Sequence, residues 1–242
     1  HLYYIDDTPD KFFILSNKNA QKNFALYEAS ITKKSKFDWK LLVAHKNSEL
    51  IEDFLCFKDF IILETRKKGL PYLLQIDRKT NKKFYIKFEE EAYTLSLVNN
   101  NNFDARSFSF AYSSLKYPSI IYSQNLYTNK KRKIWSQKVL NHKPNKYETK
   151  RLFIHARDKT KVPISLIYKK GINLKKAPLL QYGYGSYGSI IEPSFKLSFM
   201  PLVEDGFIFA IAHIRGGQDL GRNWYDQGRM MKKMNTFFVD IF

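Results

Sequence analysis

Cysteine is almost missing from this 242-residue chain. Cys56 stands alone, so no disulfide can close within the chain and no cysteine-based metal site can be built. A chain without disulfides suits a reducing compartment, and a cytoplasmic location is the expectation on that ground. Histidine is also sparse: His1, His45, His142, His155 and His213 never fall at i, i+4 or close pair spacing. That pattern offers no zinc-type ligand set, and no cofactor is expected. No apolar run approaches the roughly 20 residues of a membrane-spanning helix, so no membrane association is expected. Glycine and proline number only 10 and 8, against 20 Phe, 16 Tyr and 3 Trp, a balance that excludes a disordered chain. The first residues, His-Leu-Tyr-Tyr, lack a methionine and a signal-peptide layout. They read as mid-strand sequence, with the expectation that the chain begins inside a larger protein.

Acidic residues are the minority charge, 23 against 41 basic, for a formal net charge of +18. An excess of this size is a general pointer to nucleic acid or an anionic surface. Its distribution argues otherwise. The charge is mostly lysine, scattered in pairs such as Lys33-Lys34, Lys67-Lys68, Lys82-Lys83 and Lys175-Lys176. It sits in a chain rich in Asn, Ile, Phe and Tyr, including the run Asn99 to Asn102. These are residues that an AT-biased coding sequence supplies, and the charge reads as a solvated surface. No nucleic-acid partner is expected. The alternative reading is a basic β-propeller-type module that grips an acidic partner or nucleic acid.

Up to about residue 145 the sequence is a succession of short apolar runs separated by turns. The clearest are Phe12–Ser16, Phe24–Ala29, Lys40–Ala44, Phe60–Thr65, Pro71–Ile76, Phe84–Phe88 and Ser107–Tyr112. Short runs rich in β-branched and aromatic residues predict an all-β sandwich, barrel or propeller. At roughly 40–45 residues and four strands per blade, this stretch holds about three blades. Beyond it, Arg151–Ala156 and Ile164–Tyr168 predict a hairpin around Asp158-Lys159-Thr160. A basic linker, Lys169 to Lys176, leads to a strand at Leu179–Tyr182, and a strong apolar strand follows at Phe207–Ala212. Strands alternating with longer connections predict the opening of an α/β sheet. The expected division is 1–145 for the blades and 146–242 for the second unit.

Gly183-Tyr184-Gly185-Ser186-Tyr187-Gly188 is a literal G-x-G-x-x-G after a strand, the form used to approach a dinucleotide pyrophosphate. That use needs a helix directly behind it, and Pro193 disfavours one. Asp205, at the distance of a ribose-binding acid, is better explained as an Asp-Gly turn.

Two longer blocks carry a different message. Residues 178–188 read Pro-Leu-Leu-Gln-Tyr-Gly-Tyr-Gly-Ser-Tyr-Gly, and residues 213–237 run from His-Ile-Arg-Gly-Gly to Lys-Lys-Met-Asn-Thr-Phe. Together they resemble the first part of the peptidase domain of the prolyl oligopeptidase family, on its oligopeptidase B (protease II) branch. The resemblance extends upstream through Ala156-Arg157-Asp158 and Val162–Tyr168. It reaches more weakly into the β-rich half, at Lys22–Tyr27 and Gln75–Thr80. It implies a seven-bladed propeller joined to an α/β-hydrolase with a Ser-Asp-His triad, cutting short peptides after Lys or Arg. The chain would then span the last blades and the first hydrolase strands, with short basic peptides as substrates.

The resemblance assigns roles to three residues. Tyr184 corresponds to the tyrosine that lends its hydroxyl to the oxyanion hole. Glu192 matches the first of two acids that bind a basic substrate side chain, while Ser194 replaces the second. Arg215 matches the Arg-Gly-Gly loop, where it reads as a residue that fixes the loop near the site and, with Glu192, is a candidate for substrate binding. Gln218 stands where that loop usually has another glycine, and a positive φ there would strain the turn. No G-x-S-x-G elbow occurs in the 242 residues. In this fold the triad runs Ser, Asp, His, so all three would lie beyond Phe242, and Asp205 and His213 are not triad members. After Phe237 the sequence departs from the family pattern, and a truncated or frame-shifted product, inactive by itself, is the expectation.

Overall fold

The computed structural model describes residues 2–9, 11–31, 38–100 and 102–232. The family-like run from Lys233 to Phe237, and the departure after it, lie outside the described residues. So do His1 and the Lys33-Lys34 pair.

Three four-stranded antiparallel sheets follow one another along the chain. The first holds β1 (Tyr3–Asp7), β2 (Lys11–Ser16), β3 (Ala25–Ser30) and β4 (Lys40–Val43); the second holds β5 (Glu49–Cys56), β6 (Phe60–Lys67), β7 (Leu70–Asp77) and β8 (Lys83–Tyr85). The third comprises β9 (Tyr93–Leu97), β10 (Ser107–Ser114), β11 (Ile120–Asn125) and β12 (Lys131–Ser136). Each pairs its strands in sequence order, the meander of a propeller blade, so about three blades are present.

Side-chain alternation explains why these sheets stack. Successive residues of a strand face opposite sides. In β6, Ile61 and Leu63 join Phe13, Leu15, Phe24 and Leu26 of the first sheet in one apolar cluster. Phe60 and Ile62 point the other way, into a cluster with Phe108, Phe110 and Tyr112 of β10. β7 divides likewise, Leu74 and Ile76 to one side and Leu73 to the other. The middle sheet is covered on both faces, which is why β6 and β7 read as continuous apolar runs rather than alternating ones.

The fourth sheet differs in kind. Its order is β13 (Tyr147–His155), β14 (Lys161–Lys169), β16 (Ile208–Ala212), β15 (Leu179–Tyr182). The hairpin β13/β14 turns at Asp158-Lys159-Thr160, and β14/β16 is antiparallel, but β15 and β16 are parallel. A parallel pair needs a crossover, supplied by the loop from Gly183 and the short helix α1 (Met200–Glu204). Phe209 and Ile211 pack with Phe199, Met200 and Val203 on one face. Ala210 and Ala212 face Trp224 on the other, in helix α2 (Arg222–Asp226).

The fourth sheet is tied to the blades by polar side chains. Asn23 donates to the carbonyls of Lys46 (3.0 Å) and Asn47 (2.9 Å) and accepts from the Arg222 amide (2.9 Å). Lys22 pairs with Asp226 at 2.8 Å. The Thr149 hydroxyl donates to Glu90 at 2.6 Å. No helix among the described residues is long and apolar enough to cross a membrane.

Glu64, in the middle of β6, is 9% exposed and accepts from the Leu97 amide at 2.9 Å. Burial raises its carboxyl from 4.5 to about 8, against the opposing pull of that amide. The native state therefore keeps the proton that the unfolded chain releases near its ordinary value. The stability tied to this proton is fully present below pH 4.5 and is lost as pH rises through about 8. Glu64→Gln should gain stability relative to the parent between about pH 5 and about pH 8, by a few kcal/mol at most. Denaturant unfolding of both proteins at the two pH values measures the difference.

Candidate functional site

The tyrosine-glycine turn leaves the end of β15 and rests on the loop that leaves the end of the neighbouring parallel strand β16. The contact is between backbones. Gly185 (φ +60) approaches so closely that a Cβ there would lie 2.6 Å from the Arg215 carbonyl oxygen. Gly216 (φ +96) reciprocates: its Cβ would lie 2.0 Å from the Gly185 carbonyl oxygen. The Gly188 amide donates to the Gly216 carbonyl at 2.9 Å, and Gly188 and Gly217 bridge in parallel. Two glycine-rich loops thus interlock, and side chains are excluded from the seam.

On this base the side chains take opposite directions. Tyr184 is 44% exposed, and its hydroxyl bonds none of the described residues. The turn leads into extended chain and only later into α1, with no helix to hold a phosphate. The glycines therefore serve the close approach of the two loops and not a dinucleotide.

Arg215 and Glu192 both turn toward internal partners. The Arg215 side chain is buried and turned into the β13/β14 turn, pairing with Asp158 and donating to the Thr160 hydroxyl at 3.3 Å. The guanidinium's hydrogen bond holds the Asp158 carboxyl down, at about 2. Arg215 ties its loop to the hairpin. The Glu192 carboxylate is taken by Arg66 of β6, whose Nε also bonds Glu52 at 2.9 Å. Its second oxygen, Oε2, is buried without a partner. The cation beside Glu192 is an internal guanidinium. Burial opposes the charge on Arg66, but Glu52 and Glu192 outweigh it and raise its pKa. Gln218 is not among the residues with positive φ; its side chain accepts from Arg222 at 3.1 Å, so no strain arises there. Asp205 caps α1 ahead of Gly206, the turn expected.

His213 is buried, with a set of partners that no motif announces. Nε2 lies 2.8 Å from Ser165 Oγ, and Nδ1 lies 2.8 Å from Asp219 Oδ1. Arg151 Nη1 donates to the same serine oxygen at 2.9 Å. Ser165 arrives from β14, 48 residues away in sequence. That distance is why spacing could not reveal the group; only the pairing of β14 with β16 brings it together. Among the described residues no cluster of three or more His, Cys, Asp or Glu could hold a metal.

The loop seam gives a direct test. Gly216→Ala forces a side chain into a left-handed position and against backbone, and should cost at least about 2 kcal/mol. Gly171→Ala shares the positive φ, +84, but meets nothing within 4 Å, and should cost only about 1 kcal/mol. Thermal melts of the two variants, compared with the parent, read the difference.

Comparison with known proteins bears on the same regions. Residues 1–137 match the family described as prolyl oligopeptidase, N-terminal beta-propeller domain, and residues 193–240 match the prolyl oligopeptidase family. Dipeptidyl aminopeptidase BI of Pseudoxanthomonas mexicana is 36% identical over 99% of this chain and 34% of its own length. Protease 2 of Moraxella lacunata is 30% identical over 98% of this chain and 34% of its own. The structure of oligopeptidase B from Trypanosoma brucei with covalently bound antipain superposes with a TM-score of 0.89 at 32% identity, covering 98% of this chain and 35% of that one. Oligopeptidase B from Leishmania major gives 0.89 at 28% identity. The chain spans about a third of the length of the relatives it matches. The three successive four-stranded sheets agree with the propeller match over residues 1–137, and the chain belongs to the prolyl oligopeptidase family.

Proposed function

We propose that this chain forms part of a serine-type oligopeptidase of the oligopeptidase B kind, which hydrolyses short peptides after Lys or Arg. Residues 1–145 supply propeller blades, and residues 146–242 supply the opening strands of an α/β-hydrolase domain. The chain alone contains no nucleophile elbow and is inactive by itself. It acts in the reducing interior of the cell, without a cofactor. Several of its lysines pair with acids, Lys11 with Glu28 and Lys46 with Glu49 among them, and no nucleic-acid partner is part of this reading.

The observation that carries this reading is Tyr184, exposed and with its hydroxyl unengaged among the described residues, on a seam of closely apposed backbones. When a serine attacks a peptide carbonyl, negative charge develops on the carbonyl oxygen. A preorganised donor aimed at that oxygen stabilises the transition state more than the ground state. The loop after this strand is where an α/β-hydrolase places such a donor. Tyr184 has that location, a donor group and no competing partner. Glu192 takes no part in the reading, because Arg66 already neutralises it. A substrate guanidinium would first have to displace an arginine that Glu52 also holds.

The test uses a graft in which this chain replaces the matching third of the Trypanosoma brucei enzyme. The folded graft should turn over arginyl and lysyl peptide amides with the parent enzyme's preference over neutral ones. Tyr184→Phe should lower kcat by about 10²–10³-fold with KM little changed. A folded graft without the basic preference sinks the substrate reading. Unchanged kcat in the Tyr184→Phe graft sinks the donor assignment.

A further inference from the structure

We infer that Arg151 is a positioning residue for Tyr184. It heads a buried line of hydrogen bonds that runs from the second propeller sheet to the loop under the tyrosine turn. The inference rests on the reading of Tyr184 given above; the line itself does not depend on it.

The line begins at the β6/β7 turn. Arg151 Nη2 donates to the Lys68 carbonyl at 3.1 Å. The guanidinium lies against Gly69 (φ +78), where a Cβ would come within 2.4 Å of Nη2; a side chain at that turn would push it aside. Nη1 of the same guanidinium donates to Ser165 Oγ at 2.9 Å. One planar group thus holds a propeller turn on one side and the core of the mixed sheet on the other.

From there the line runs on through the imidazole. A guanidinium only donates and a carboxylate only accepts. The Ser165 oxygen accepts from Arg151 and lies 2.8 Å from His213 Nε2. At the far end Nδ1 carries its hydrogen toward Asp219 Oδ1, 2.8 Å away. Ser165, His213 and Asp219 are 0%, 2% and 3% exposed, so the group is shut off from bulk solvent. The connectivity Ser–Nε2, Nδ1–Asp repeats that of a catalytic triad. Burial and the Arg151 donor on the serine oxygen deny Ser165 a substrate.

What the line does is close the loop on which Tyr184 rests. His213 and Asp219 bracket residues 214–218, and their side-chain bond fixes the two ends of that segment against each other. The Asp219 carboxylate also backs Gly217, where a Cβ would lie 2.5 Å from Oδ2. The Trp224 indole donates to the His213 carbonyl at 3.0 Å. Inside this bracket lie Ile214, Arg215 and Gly216, the residues that meet Gly185 at the seam. A shift at Arg151 therefore reaches the turn through groups that have no second arrangement with equal bonding. The propeller in this way governs where the Tyr184 hydroxyl points.

The test reads the turn spectroscopically in the full 242-residue chain, with 3-fluorotyrosine placed at Tyr184 and ¹⁵N-labelled histidine. Arg151→Met should shift the fluorine resonance by more than its linewidth. It should also shift the His213 Nε2 signal, because the Ser165 hydroxyl facing that nitrogen loses the guanidinium that holds it. Ser165→Ala should do the same, and it decides the matter if Arg151→Met does not fold. Leu74→Ala, in the apolar cluster between the first two sheets, serves as a control for lost stability and should leave both signals in place. The inference is overturned if folded Arg151→Met and Ser165→Ala leave the fluorine resonance unmoved, or if Leu74→Ala moves it equally. The oxyanion reading fails separately, through an unaffected kcat in the Tyr184→Phe graft.

Discussion

A sheet with two apolar faces cannot stand in water by itself, and that constraint shapes most of this molecule. Ile61 and Leu63 leave β6 on one side, Phe60 and Ile62 on the other. Burying only one of these sets would leave several large side chains exposed, each worth roughly 1.5–3 kcal/mol when removed from water. The sheets are therefore stable only as a stack, each supplying half of the core on either side. The fourth sheet obeys the same rule with different partners, α1 on one face and Trp224 of α2 on the other. The blades hold their positions through apolar area, which is strong but indifferent to small displacements.

The junction between blades and mixed sheet is built from the opposite material. Asn23 satisfies two carbonyls of one connection and an amide at the start of α2. Arg66 holds Glu52 and Glu192 together in a buried group. Groups of this kind add little net stability, because desolvation offsets most of the attraction. Breaking one partner away is costly, however, since the remaining charge stays buried. Hydrogen bonds are also directional. A polar junction thus fixes register and angle where an apolar one would tolerate sliding.

Much of the fold could be read from the residues, and the failures have identifiable causes. Runs such as Phe60–Thr65 and Pro71–Ile76 declared themselves because both faces are buried. Leu179–Tyr182 coincides with β15, since a proline before it and glycines after it mark both ends. β11 and β12 were less legible. β12 is exposed nearly throughout, and Lys131-Arg132-Lys133 carries no apolar pattern. The site divides in the same way. The glycine turn was legible because backbone contact leaves a compositional trace. The fates of Arg215 and Glu192 were not, since a charged residue looks the same in sequence whether it meets a substrate or an internal partner. Asp158 and Arg66, the groups that decide, lie 57 and 126 residues away. Ser165, Arg151 and Asp219 left no trace at all, because their association is a product of strand pairing.

These inward commitments explain why one group can be left free. A loop that presents a donor to a reacting atom must not relax when that donor is unbonded, or the hydroxyl would fold back onto the nearest carbonyl. Here the loop's competing groups are already engaged: Arg215 by Asp158, Glu192 by Arg66, His213 by Ser165 and Asp219. The seam between Gly185 and Gly216 leaves no space for rearrangement. On the proposed reading of Tyr184, preorganisation is a consequence of its neighbours' satisfaction, since a donor held in place before charge develops needs no reorganisation when it does. Loosening any of those internal pairs would act on the tyrosine without touching it.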